Sequence, residues 1–112
     1  MFKIDKMNKI FLTKGDSCQI EVRVFNKDGV EVEILPTDKI TLTVRKNEYT
    51  DEVAFSITAD LNTIYIKPAH TTSLSSGLYV YDIQFEREDD IQTIIPLSYF
   101  QLGGEITKWK VV

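Results

Sequence analysis

The chain has 112 residues, 43% hydrophobic and 27% charged, the proportions of one folded domain long enough to bury its own core. Its 13 basic and 17 acidic residues give a formal charge of −4, which argues against nucleic acid as the main partner, because phosphate recognition rests on clustered Lys and Arg. The single cysteine excludes an internal disulfide framework and every multi-cysteine zinc pattern.

The start, Met1-Phe2-Lys3-Ile4-Asp5-Lys6, holds no apolar run of signal-peptide length. No segment approaches the ~20 apolar residues of a membrane span. The expectation is a protein made in the cytoplasm without a signal peptide, and without a membrane partner.

Asn8 to Leu12 is a short strand, preceded by an extended piece at Phe2–Ile4. Gly15-Asp16 then makes a turn, since Gly accepts positive φ and Asp bonds its own backbone. From Ser17 to Phe25, Cys18, Ile20, Val22 and Val24 alternate with polar residues, the period of one strand. Asn26-Lys27-Asp28-Gly29 reads as a hairpin turn. Val30, Val32 and Ile34 continue the inward alternation on the return strand, which Leu35-Pro36 ends.

Lys39 to Arg45 is the next strand, with Ile40, Leu42 and Val44 inward. Lys46 to Glu52 is a polar loop. Val53 to Thr58 alternates again, turns at Asp60-Leu61-Asn62 and returns as Thr63 to Lys67. Between 68 and 76 the β pattern lapses; Pro68 suits the first position of one helical turn, and Thr71-Thr72-Ser73 can bond local backbone.

Gly77 to Glu86 has the clearest period. Tyr79, Tyr81, Ile83 and Phe85 lie on one side, and Val80, Asp82, Gln84 and Glu86 on the other. It is expected to be the central strand. Leu74-Ser75-Ser76-Gly77 leads into it. Tyr79 is therefore a candidate corner tyrosine, its hydroxyl bonding backbone a few residues upstream; the other reading is an ordinary core aromatic. Gly77, Tyr79 and Tyr81 are assigned structural roles.

Arg87-Glu88-Asp89-Asp90 is a charged hairpin tip. Ile91 to Leu102 is the last long strand, and Pro96 within it requires an edge, a bend or a bulge. After a break at Gly103-Gly104, residues 105–112 form an apolar tail. Its Trp109, Val111 and Val112 are the candidate interface, paired within the chain or with a neighbour.

The architecture expected is all-β: an immunoglobulin-like antiparallel β-sandwich of about seven to nine short strands. The sandwich domain takes residues 1–104 and the tail 105–112. Its core is expected to comprise Ile20, Val22, Val24, Ile40, Leu42, Val44, Phe55, Ile57, Tyr79, Tyr81, Ile83 and Phe85.

No catalytic constellation is legible. His70 is the sole histidine, in a loop, and Cys18 falls on an inward face, where a thiol is a small hydrophobe. Glu86, Glu88, Asp89 and Asp90 match no calcium loop, and Asp82 is expected to meet a cross-strand Lys or Arg. Gly103-Gly104 precedes no helix and is no phosphate cradle. The reading is no enzyme, no cofactor and no metal.

Leu12-Thr13-Lys14-Gly15-Asp16, the Asn26-Lys27-Asp28-Gly29 turn, Asp38 to Arg45, Leu74 to Gln84 and Tyr99-Phe100-Gln101-Leu102 together form a pattern. Over Leu12 to Leu102 the chain resembles a family of small β-sandwich domains of phages and prophages of Gram-positive bacteria. These are similar to the N-terminal module of baseplate upper proteins and related tail-associated proteins. The resemblance implies a non-enzymatic, virion-associated structural protein whose partners are other phage structural proteins or further copies of itself in a homo-oligomer. Carbohydrate- or receptor-binding modules and bacterial immunoglobulin-like adhesion or spacer domains are the alternatives.

Overall fold

A computed structural model describes residues 2–4 and 7–103. Its ten strands are β1 (Phe2–Ile4), β2 (Ile10–Thr13), β3 (Cys18–Glu21), β4 (Val24–Phe25), β5 (Glu31–Val32), β6 (Lys39–Arg45), β7 (Val53–Thr58), β8 (Thr63–Ile66), β9 (Gly77–Arg87) and β10 (Asp90–Gly103). One helical turn, α1 (Pro68–Thr71), separates β8 from β9. The chain is all-β, as the period-two patterning requires.

Six strands form the large sheet, in the order β1-β2-β10-β9-β6-β7. Its middle is β9, between β10 and β6, in the central position expected for the Gly77 stretch. β3 pairs with β8, and β4 with β5, as separate two-stranded pieces. The sheet is mixed, not wholly antiparallel: β2 runs parallel to β10, with Phe100 opposite Ile10 and Leu102 opposite Leu12. No hairpin joins these two strands, so nothing local fixes their relative direction.

The strand count exceeds the expected seven to nine partly because Ser17–Phe25 is two strands. The chain changes partner at Val22, whose N–H bonds Asn62 O at 2.8 Å, and β4 turns to β5. Val30 is exposed, contrary to the inward alternation, because its N–H is held by the Asn26 side chain in the turn.

One hydrophobic cluster joins all three sheet pieces. The large sheet contributes Ile10, Leu12, Ile40, Leu42, Val44, Phe55, Tyr79, Tyr81, Ile83, Phe85, Phe100 and Leu102; Ile20, Val22, Val24, Ile64 and Ile66 complete the cluster. Each such side chain, fully buried, stabilises the fold by about 1.5–3 kcal/mol before entropy is counted. Ile57, expected in this core, is only half-buried against its rim.

Pro96 is accommodated by a bulge. Between Ile83 and Tyr81 on β9, β10 runs from Ile95 to Ser98, one residue too many, and a second irregularity lies between Thr93 and Ile95. The extra residue resets the alternation. Ser98 turns inward, while Leu97 and Tyr99 are exposed.

The Gly15-Asp16 turn is a structural joint. Gly15 N–H donates to Thr71 Oγ1 at 3.0 Å, and Thr71 is fully buried. The neighbouring Lys14 N–H donates to Gly103 O at 2.8 Å. The Gly15-Asp16 turn is thereby tied both to α1 and to the end of β10.

Candidate functional site

On the outer face of a half-buried sheet, polar residues are the rule. β9 breaks it with Leu78 and Val80. Val80 lies opposite Tyr99 on β10 and Arg45 on β6, and Arg45 lies opposite Val53 on β7. Leu78 lies opposite Gln101. The Pro96 bulge adds Leu97, and the loop after β6 brings up Tyr49. Leu78 is 49% exposed, Leu97 50%, Tyr99 50% and Tyr49 89%.

These side chains surround two adjoining hollows. One, of about 140 Å³, is lined by Lys46, Asn47, Glu48, Tyr49, Leu78, Val80, Leu97 and Tyr99. The other, of about 50 Å³, adds Thr43, Arg45 and Asp82. Both fall below the ~300–1,000 Å³ of small-molecule pockets. The face suits a docking polypeptide better than an enclosed ligand. Its rim carries both signs of charge, and the Glu48 carboxylate pushes the Tyr49 phenol above its ordinary pKa.

Asp82 is on this face, but it meets Thr43 across the strand pair, not the expected Lys or Arg. The register sets this: Arg45 lies two residues further along β6, opposite Val80.

His70 has a structural position. Its Nδ1 accepts the Lys67 N–H at 2.9 Å, closing the first turn of α1, and its ring stacks on Phe55 at 5.6 Å. A wide depression of about 520 Å³ beside it is lined by Ile57, Thr58, Asp60, Tyr65, Lys67 and His70. Cys18 is half-buried, and desolvation pushes its thiol up to about 11. Such a thiol is a poor nucleophile at neutral pH.

At the hairpin tip, Glu86 faces Lys39 at 4.0 Å, and Asp90 accepts from Gln92 Nε2 at 3.2 Å. Among the described residues no group of three or more His, Cys, Asp or Glu side chains could hold a metal ion. No described helix is long and apolar enough to cross a membrane.

Tyr79 Oη donates to Ser75 O, four residues upstream, at 2.7 Å. Gly77, just before it, has φ +153° with no atom within 4 Å of where a Cβ would stand. Its requirement for glycine is thus one of backbone, not of space. Tyr81 Oη donates to the carbonyl of Asn8, itself at φ 63°, and so pins the approach to β2. Trp109, Val111 and Val112 lie outside the described residues, as does the rest of the tail.

The exposed face was not anticipated as a site. Its only local signal is Leu78 and Val80 on the polar side of the β9 alternation. No family model matches the chain, and searches of curated proteins and of solved structures likewise find no match.

Proposed function

We propose that this protein is a non-enzymatic structural component of a phage or prophage tail, acting through protein–protein contacts. The observation that supports this most is the apolar outer face of the large sheet, where Leu78, Leu97, Tyr99 and Tyr49 stand exposed around shallow hollows. Exposed apolar groups gathered on one face, rimmed by charge, mark interaction surfaces. The phage assignment itself rests on the resemblance of the Leu12 to Leu102 pattern to tail-associated β-sandwich domains. In the same proposal the fold is immunoglobulin-like, with β3, β8, β4 and β5 forming the second layer of a sandwich. The protein is virion-associated, and its partners are other tail proteins or copies of itself.

The test is light scattering of the purified chain, alone and co-expressed with tail proteins encoded beside its gene. A homo-oligomer or a defined complex that Leu97→Glu and Tyr99→Glu disrupt, without loss of melting temperature, is the expected result. A monomer at high concentration that joins none of those proteins refutes the proposal.

A second reading has one observation in its favour. Tyr49 and Tyr99 stand beside Arg45, Glu48 and Asp82, the pairing of aromatic faces and polar groups that a sugar-binding surface uses. Glycan binding abolished by Tyr99→Ala would favour a carbohydrate-binding module over the tail protein.

A further inference from the structure

Strands β7 and β8 are joined where they meet and then part. Asp60 and Thr63 exchange two backbone hydrogen bonds, at 2.8 and 3.0 Å. Had that pairing continued, Thr58 would stand opposite Tyr65. Instead β7 pairs only with β6 and β8 only with β3, so each is the edge of its sheet. In an antiparallel strand alternate residues turn both N–H and C=O to the same neighbour. Ala59 N–H donates to Ile40 O at 2.7 Å, so Ile57 and Phe55 face β6, while Thr58 and Ser56 face away from it. Val22 N–H donates to Asn62 O at 2.8 Å, so Ile64 faces β3 and Tyr65 faces away. Among the described residues none takes up these turned-out backbone groups of Ser56, Thr58 and Tyr65. The depression of about 520 Å³ beside His70 lies between the two edges.

We propose that this gap is a docking site for an extended segment of another protein, which adds as a strand to the free edge of β7. Unpaired backbone donors and acceptors are the template for such addition. Protective devices are missing from the regular part of the edge: Phe55, Ser56, Ile57 and Thr58 include no charge and no proline, and the β6–β7 irregularity lies before them, between Val53 and Phe55. A single extended chain suits the gap better than the edge of a second copy. Tyr65, Lys67 and His70 stand across from β7, where the second layer of a folded domain would collide with them. The pleat also sets what the incoming strand carries. Side chains beside the exposed Ser56 and Thr58 are best Thr or Ser. The alternate ones turn towards the half-buried Ile57 and the Tyr65 ring, and are best Val or Ile. The site shares no lining residue with the hollows around Leu97, so it is independent of the function proposed for that face.

The probe is the synthetic peptide acetyl-Lys-Thr-Val-Thr-Val-Thr-Lys-amide, added to the full-length chain while amide hydrogen exchange is followed by NMR. In the free protein the Ser56 and Thr58 amides should exchange about tenfold faster than those of Phe55 and Ile57, or more. Millimolar peptide should slow Ser56 and Thr58 by about tenfold. Thr58→Pro removes one turned-out N–H, and an edge strand tolerates proline where its N–H faces outward. It should weaken binding roughly tenfold. If its circular-dichroism melt shows a failure to fold, the peptide N-methylated at its threonines tests the same bonds, and it should not bind. No slowing at millimolar peptide overturns the proposal. Slowing that the folded Thr58→Pro variant or the N-methylated peptide leaves in place overturns it too, because the contact would not be a backbone ladder. Ser56 and Thr58 amides already protected in the free chain would mean that the edge is covered. Protection that rises with protein concentration would assign it to a second copy; either result removes the docking site.

Discussion

Arg87 grips Asp38 with two parallel hydrogen bonds, Nε to Oδ1 at 2.9 Å and Nη2 to Oδ2 at 2.8 Å. The same guanidinium donates to Glu33 O at 2.9 Å, and Asp38 Oδ2 also accepts Leu35 N–H at 2.7 Å. The tip of the β9–β10 hairpin is thereby tied to the turn before β6. The Asp38 side chain is 1% exposed, although the pair sits at the molecule's edge.

The Arg87 hydrogen bonds, helped by the Leu35 N–H, hold Asp38 below the ordinary aspartate pKa. A carboxyl lowered in the fold stabilises it fully above its unfolded pKa, near 4. That contribution disappears as pH falls through the lower, folded value. Urea midpoints measured from pH 7 down to pH 2 should therefore fall on the acid side. Asp38→Asn should lower the midpoint at pH 7 and flatten the acid limb. An acid limb as steep as that of the unaltered chain would remove Asp38 from the account. Glu31, lowered by the exposed Arg23, offers a comparison, and Glu31→Gln should matter less.

Tyr79→Phe deletes one hydroxyl and keeps the ring. The bond to Ser75 O makes the expected cost about 0.5–1.5 kcal/mol in chemical denaturation. An unchanged midpoint would leave Tyr79 as an ordinary core aromatic.

Ile83 is in the middle of the central strand, between Leu42 and Ile95, and is buried. Ile83→Ala should cost about 2–5 kcal/mol, the range for aliphatic truncation in a core. Ile91→Ala, eight residues on at the exposed end of the same hairpin, should stay within about 0.5 kcal/mol. Equal losses at the two positions would contradict the facing of β9.

With its pKa near 11, Cys18 carries a thiolate in roughly one molecule per thousand at pH 8. A thiol-reactive dye should label the native protein about 100-fold more slowly than the urea-unfolded chain. Comparable rates would mean that β3 opens readily from β8.

How far the residues foretold the fold depended on how cleanly each segment separated its two faces. Residues 39–45 and 81–87 keep apolar and polar side chains apart, and there the strands follow the period. Ile10 and Leu12 enclose Phe11, and Phe100 and Leu102 lie next to Tyr99, so neither strand displays its buried face. Ile10, Leu12, Phe100 and Leu102 are all in the core. The split of Ser17–Phe25 follows from a change of partner, from β8 for residues 18–21 to β5 for residues 24–25, and no local pattern encodes it. The exposed face had the same obstacle. Leu78, Leu97 and Tyr99 become neighbours only through the β9–β10 register and the bulge at Pro96.

The parallel pairing of β2 with β10 has a consequence for biosynthesis. β1 and β2 are made first, yet they join the large sheet only through residues 100–103, at the end of β10. Ile10 and Leu12 must therefore wait, unsheltered by their final neighbours, until nearly the whole domain has left the ribosome. Closing so long a loop is entropically costly and slow. The first strands synthesised become the last to be sealed in place.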